Sequence, residues 1–273
     1  MSAERAPGPW WALVAAGLLM GIYSTLCGIG GGIFAVPLLH YVYRLPLRRA
    51  VANSLALVAG STSGATLLEA LHPESALRLD LVLALVTGSV VGSRLGFALG
   101  RAVSARGLKA VFVLLLLLVS VQLLWGGGAA QAFEAAALPA QRGWAEWALV
   151  GAIGLAAGVV APLLGIGGGL VAVPAMIQLL PGLGFLAARA CSMAMSAVNA
   201  WQSLWLYRRE GEIRGAFSTR LMLGAVLGSA LGIQLVHVEP VTRAARVLVA
   251  IALLFAAARF ALDLLPRARR PGV

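Results

Sequence analysis

Charged side chains are scarce in this chain: only 11% of its 273 residues are Asp, Glu, Lys or Arg, and acidic residues number just 10. An ordinary soluble domain carries about 25%. A globule of this size leaves too much surface exposed to be covered by so few charges, so a soluble reading is excluded. The two cysteines do not make a disulfide scaffold, and Cys27 and Cys191 both fall within apolar runs where a thiol acts as a small hydrophobe. His40, His72 and His237 are scattered, without the spacing of metal ligands. Also missing are H-E-x-x-H, C-x-x-C, G-x-S-x-G, a phosphate-binding loop ending in Gly-Lys-Ser/Thr, and any pair of carboxylates at helical spacing inside an apolar run. The expectation is a protein that is not an enzyme and needs no cofactor.

Apolar residues are abundant. They make up 60% of the chain, and the mean hydropathy of +0.92 excludes a disordered tail. The 33 glycines follow no three-residue period, so the chain is not collagen-like. The solvent for this surface is lipid. The net charge of +11 comes from short basic clusters between the apolar runs, as at a cytoplasmic membrane face, and no nucleic-acid partner is expected.

Long apolar runs are expected near Trp10–Cys27, Ile33–Tyr43, Ala50–Ala70, Leu77–Leu99, Leu108–Trp125, Trp144–Leu164, Leu170–Leu180, Ala187–Tyr207, Ala216–Val236 and Ala244–Leu265. Most have about the 20 residues that cross a ~30 Å hydrocarbon core. The runs beginning at Ile33 and Leu170 are about half that length, and they carry Pro37 and Pro174.

Those two short runs stand at equivalent places in a duplicated chain. Gly21–Pro37 reads GIYSTLCGIGGGIFAVP and Gly158–Pro174 reads GVVAPLLGIGGGLVAVP, with 10 of 17 positions identical. The repeat continues with Ala52-Asn53-Ser54-Leu55 against Ala190-Cys191-Ser192-Met193, then with Gly88, Gly92 and Gly96 against Gly224, Gly228 and Gly232. Because Trp10–Cys27 has an internal copy, it reads as a retained segment and not a cleaved leader.

If each short run pairs with the helix before it as a there-and-back unit, fourteen basic residues collect on the cytoplasmic side. Five lie outside: Arg78, Arg142, Arg189, Arg243 and Arg246. An odd number of segments per copy then inverts the second. The expected fold is an all-α integral membrane protein of about eight to ten apolar segments in two inverted-topology five-segment repeats, with short or re-entrant half-helices after the GIGGG loops. Residues 1–126 form the first membrane repeat, 127–143 an extracytoplasmic connecting loop and 144–273 the second. Both termini are cytoplasmic, at the inner membrane.

Glycine weakens a helix by about 1 kcal/mol and exposes backbone that lipid cannot satisfy. GIGGG inside the membrane is therefore expected only where it is buried or wet. Gly28, Gly30, Gly31 and Gly32, with Gly165, Gly167, Gly168 and Gly169, each precede a short helix, so free N–H groups and helix dipoles point to one place: an anion site. Close helix packing is the plainer alternative. Ser192, Ser196, Asn199 and Ser203 share one helical face; Ser54 and Ser61 are the counterparts of Ser192 and Asn199, beside a second stripe of Thr62, Thr66 and Glu69. Such a stripe faces a pathway or bonds between helices. Asn53 and Cys191 are weaker candidates for the same lining. Glu69 and Arg94 read first as solvated near the interface, with a proton carrier and a charge for a passing anion as the respective alternatives, and the Gly-x-x-x-Gly series reads as packing.

Two copies of GIGGG-x-x-x-VP, each followed by an A-x-S-L/M stretch and a Gly-x-x-x-Gly helix, resemble the sulfite exporter TauE/SafE family of bacterial membrane permeases. The resemblance covers nearly the whole chain and implies secondary transport of small anions, often sulfite or sulfonates, across the inner membrane. It places the motif on Gly28, Gly30, Gly31, Gly32 and Pro37, on Gly165, Gly167, Gly168, Gly169 and Pro174, and on Ser54 and Ser192. The family commonly has Thr before that serine, where this chain has Asn53 and Cys191. Expected partners are a small anionic substrate and the lipid bilayer; a coupling proton and a homo-oligomer are compatible with the sequence. A passive anion channel and a non-transporting scaffold or sensor subunit stay open as rivals.

Overall fold

The computed structural model describes residues 9–28, 30–73, 75–125, 143–180, 182–235 and 254–263. All but Gly143 of the expected connecting loop 127–143 therefore lies outside the described residues, as does Ile29, and the last apolar segment is described only over 254–263. The elements are helical: α1 Trp10–Cys27, α2 Gly32–Pro37 continued by a π-helical turn Leu38–Val42, α3 Leu47–Leu71, α4 Leu79–Ala102, α5 Ala105–Trp125, α6 Trp144–Leu164, α7 Gly169–Leu179, α8 Phe185–Arg209 and α9 Gly215–Leu235. Among the described residues there is no strand.

Five of these helices, α1, α3, α4, α6 and α9, are long and apolar enough to cross a membrane. At 25 residues α8 is also long enough, but its serine and asparagine stripe lowers its hydropathy. That stripe is buried inside the bundle, so the composition of α8 understates how it sits. Outward faces carry leucines such as Leu83, Leu223 and Leu227, and Trp10, Trp11 and Trp144 stand exposed at the first turns of α1 and α6, where an amphipathic ring suits a lipid headgroup region.

The two halves exchange arms. A methyl group added to Gly224, Gly228 or Gly232 of α9 would run into the backbone of Val14, Leu18 or Ile22 on α1; one added to Gly88, Gly92 or Gly96 of α4 would meet Gly151, Leu155 or Val159 on α6. Each half's first helix thus lies in the glycine groove of the other half's penultimate long helix. Packing accounts for that series, as its spacing predicts. Lipid supplies no hydrophobic drive for helix association, so close backbone approach does the joining, through dispersion and Cα–H···O contacts.

These registers also fix direction. Residue numbers rise together in α1 and α9 and in α4 and α6, so the helices within each pair are parallel. By contrast α3 and α8 are antiparallel, with Arg49 beside Glu212, Ser63 beside Trp201 and Glu69 beside Arg189. Gly60 and Gly64 of α3 face Met222 and Ser229 of α9 in parallel, and α8 runs parallel to α4 through Cys191 on Arg78 and Gln202 on Val90. Hence α1, α3 and α9 point one way and α4, α6 and α8 the other. Since α1 and α3 are parallel, α2 must lead back from the glycine loop to the end where α1 began. With 11 residues each, the α2 segment and α7 span about 16 Å, half a hydrocarbon core.

Candidate substrate site between two glycine tips

Helix α1 ends where Gly28 takes a left-handed conformation (φ 70°) and returns its N–H to Ser24 O at 2.9 Å. Gly165 ends α6 the same way, with φ 71° and a 2.8 Å bond to Ala161 O. The next bend needs two more left-handed residues in each copy, Gly30 and Gly31 (φ 88° and 65°) and Gly167 and Gly168 (φ 87° and 91°). Side chains with a Cβ resist this region by about 1–2 kcal/mol per residue, so the glycines are the condition for the turn. Short helices start directly after it, with Gly31 and Gly168 as their N-terminal flanks.

The two tips touch. A methyl group at Gly32 would overlap the carbonyl oxygen of Gly165, and one at Gly30 would lie 2.5 Å from Ile166 O. Val58 of α3 is the shared wall, against Gly30, Gly32 and Gly167. Each tip is pinned by a serine of the other half: Ser54 donates to Gly165 O at 2.9 Å, and Ser192 donates to Gly28 O at 3.3 Å. The repeat is therefore closed by reciprocal bonds, a role that spacing alone did not assign to these serines. Ser61 pairs with Ser24 at 3.0 Å, placing it under the first tip.

The rest of the α8 stripe is different. Ser196 Oγ, Ser203 Oγ and both ends of the Asn199 amide are buried and find no hydrogen-bond partner among the described residues. Nor, among the described residues, does any acceptor take the N–H groups of Gly30, Gly31, Gly167 or Gly168. Ser196 stands beside the second tip, its Oγ 3.7 Å from where a Gly167 Cβ would be. Native interiors rarely leave buried polar groups unpaired, because each costs about 1–3 kcal/mol. A cluster of them beside unpaired N–H groups is equipped to hold water or a polar solute.

Two expectations are corrected. Glu69 is not solvated at an interface: it is 5% exposed and ion-paired to Arg189, which is 1% exposed within α8. A helix end is an interface only if nothing packs over it, and here α8 does. Asn53 does not line the site but clamps the halves: its amide donates to Arg49 O and Glu212 O, and its Oδ1 accepts from Arg214 N–H and Ser218 Oγ, both at 2.8 Å. Cys191 makes the corresponding contact to Arg78 O at 3.6 Å. Asn53→Ala is expected to destabilise the folded chain by on the order of 2–3 kcal/mol, because buried donors and acceptors lose their partner; thermal unfolding in detergent measures it.

Beyond Asn53, the end of the bundle holding the α8–α9 turn carries ion pairs. Arg48 meets Glu210 at 2.6 Å, Arg49 meets Glu212 at 3.3 Å, and Arg101 meets Glu210 at 3.2 Å.

A bundle with apolar outward faces, a buried polar axis and two glycine tips meeting inside it is a multi-pass membrane protein of the transporter class. The chain belongs to the sulfite exporter TauE/SafE family, whose sequence profile matches residues 2–123 and 150–272. It is 33% identical over 114 residues to the "Probable membrane transporter protein MamO" of Paramagnetospirillum magneticum, a match covering 40% of this chain and 18% of that protein. The protein of the same name from Magnetospirillum gryphiswaldense is 32% identical over 114 residues, with the same coverage. The matched part of the chain thus corresponds to under a fifth of the length of these curated relatives. No solved structure matches the chain.

Proposed function

We propose that this protein is a secondary permease moving small sulfur-containing oxyanions, of the sulfite or sulfonate kind, across the bacterial inner membrane by alternating access. The observation that carries the reading is the buried cluster of unpaired polar groups beside two touching tips. N–H groups of Gly30, Gly31, Gly167 and Gly168 donate to the anion's oxygens, as do the Asn199 amide and Ser196 hydroxyl; Gly28, Gly32, Gly165 and Gly169 shape the tips that present them. Small short-helix dipoles add positive potential at the same place.

Ser54 and Ser192 couple binding to movement. In the form described here Ser192 gives its proton to the opposite tip's carbonyl and Ser54 shares its proton between the opposite tip's carbonyl and Val51 O; an arriving oxyanion, a stronger acceptor, competes for both. A tip so released lets one half rock against the other. The antiparallel run of α3 and α8 supports inverted repeats over 1–126 and 144–273, and the basic end around Arg48, Arg49 and Arg101 is taken as cytoplasmic, with both termini. A proton co-transported with the anion and a homo-oligomeric assembly belong to the same reading.

The test is uptake of labelled sulfite, sulfoacetate, thiosulfate and sulfate by proteoliposomes carrying the purified chain, with and without a pH gradient. Saturable flux of one anion, stimulated by the gradient, is the expected result. Flux that never saturates identifies a passive channel, and no flux of any of the four returns the glycine tips to a packing role.

A further inference from the structure

The polar stripe of α8 does not begin at Ser192. Arg189 stands one turn earlier, and at 100° per residue Arg189, Ser192, Ser196, Asn199 and Ser203 fall within about 80° of helix face. The α3 stripe of Thr62 and Thr66 ends likewise in a charge, Glu69. Because α3 and α8 are antiparallel, the two charged ends meet.

Both side chains are buried. Arg189 and Glu69 are 1% and 5% exposed, and the guanidinium Nη2 donates to Glu69 Oε2. Nη1 donates to Thr25 O at 3.2 Å, the other Glu69 oxygen accepts the Ala76 N–H at 3.2 Å, and Arg189 Nε has no partner among the described residues. The arginine stem also walls the first tip: a Cβ at Gly28 would lie 2.8 Å from its Cγ.

The other half does without this pair. In the repeat register that matches Ser54 to Ser192, Arg189 corresponds to Val51 and Glu69 to Tyr207. There the second tip packs on the backbone of Val51 and the side chain of Ser54, and Tyr207 simply donates to Pro162 O at 2.9 Å. A tip is therefore seated without a charged side chain. A buried ion pair is seldom more stabilising than apolar packing of the same volume, and ionisable groups inside membrane segments mark ion paths.

We propose that Arg189 is the charged contact of the transported anion and Glu69 its resident counter-ion. This rests on the permease reading. An oxyanion arriving along the stripe takes over the guanidinium donors, including Nε, as a two-pronged acceptor; Glu69 withdraws, and the tip walled by Arg189 loosens. When the anion leaves, Glu69 returns and closes that end.

The experiment repeats the four-anion uptake with Glu69→Gln, Arg189→Lys, Arg189→Gln and the double variant Glu69→Gln, Arg189→Gln. Removing the competing carboxylate is expected to lower KM about tenfold or more, the worth of a charge-assisted bond. Arg189→Lys keeps flux at a raised KM. The double variant, a neutral pair of similar shape, keeps the wild-type melting temperature and loses flux more than about a hundredfold. An unchanged KM in Glu69→Gln, or a wild-type KM in the double variant, overturns the exchange while leaving the permease reading intact. A wild-type chain that carries none of the four anions overturns that reading and this one together, and it does so before any substitution is made.

Discussion

Asn199→Ala is expected to cut anion flux about ten- to a hundredfold without lowering the melting temperature. Both halves of that result matter. The Asn199 amide is buried with no partner among the described residues, so truncating it breaks no bond and removes a group that folding had to desolvate. Stability then holds or rises. If Asn199 donated to a neighbouring helix, the same change would lower stability and leave any path untouched. Asn199→Asp sharpens the test, because it keeps shape and adds negative charge. An anion path loses still more flux; a path for cations would gain.

Gly32→Ala is expected to lower stability and flux with one methyl group, because among the described glycines its Cβ would come nearest to another backbone atom. Its Cβ would overlap the Gly165 carbonyl, and that carbonyl is held in place by Ser54. Relief requires the tips to part, which costs about 1–3 kcal/mol as overpacking and removes the contact that the proposed rocking of the halves turns on. Melting temperature and flux should fall together. Gly215→Ala is the matched control: nothing lies within 4 Å of its Cβ and its backbone is not left-handed, so stability stays within about 0.5 kcal/mol of wild type. Equal effects from the two substitutions would mean that the tips do not touch.

The contrast between Gly32 and Gly215 also marks how far sequence reading reached. GIGGG repeated in register, ahead of two runs too short to span, located both tips, and α1 and α6 begin and end where the apolar runs do. Periodicity identified the faces of α8 and α9. It did not identify their neighbours, because a helical period says which residues share a side and nothing of what packs there. So the glycines of α9 were recognisable as a groove, but that α1 of the other half fills it is a tertiary fact. Ser54 and Ser192 were found as candidates through the repeat, and their hydroxyls turned out to hold carbonyls across it. The signal for Arg189 is present in the sequence: it lies inside the apolar run Ala187–Tyr207, and extending the stripe of α8 by three residues upstream reaches it. A count of basic residues by side of the membrane does not say which of them face inward, and a place near a helix end does not say what packs over Glu69.

Whether the stripe is a wet path for an anion can be read directly by thiol labelling. In a chain with Cys27 and Cys191 replaced by alanine, cysteines are introduced singly at Asn199, at Ser203 and, on the opposite face of α8, at the buried Ala194. They are exposed to a membrane-impermeant, water-soluble thiol reagent, with and without the transported anion. The account predicts labelling of Asn199→Cys and Ser203→Cys, slowed by the anion, with none at Ala194→Cys. Silence at all three positions, or labelling that the anion does not slow, would contradict it.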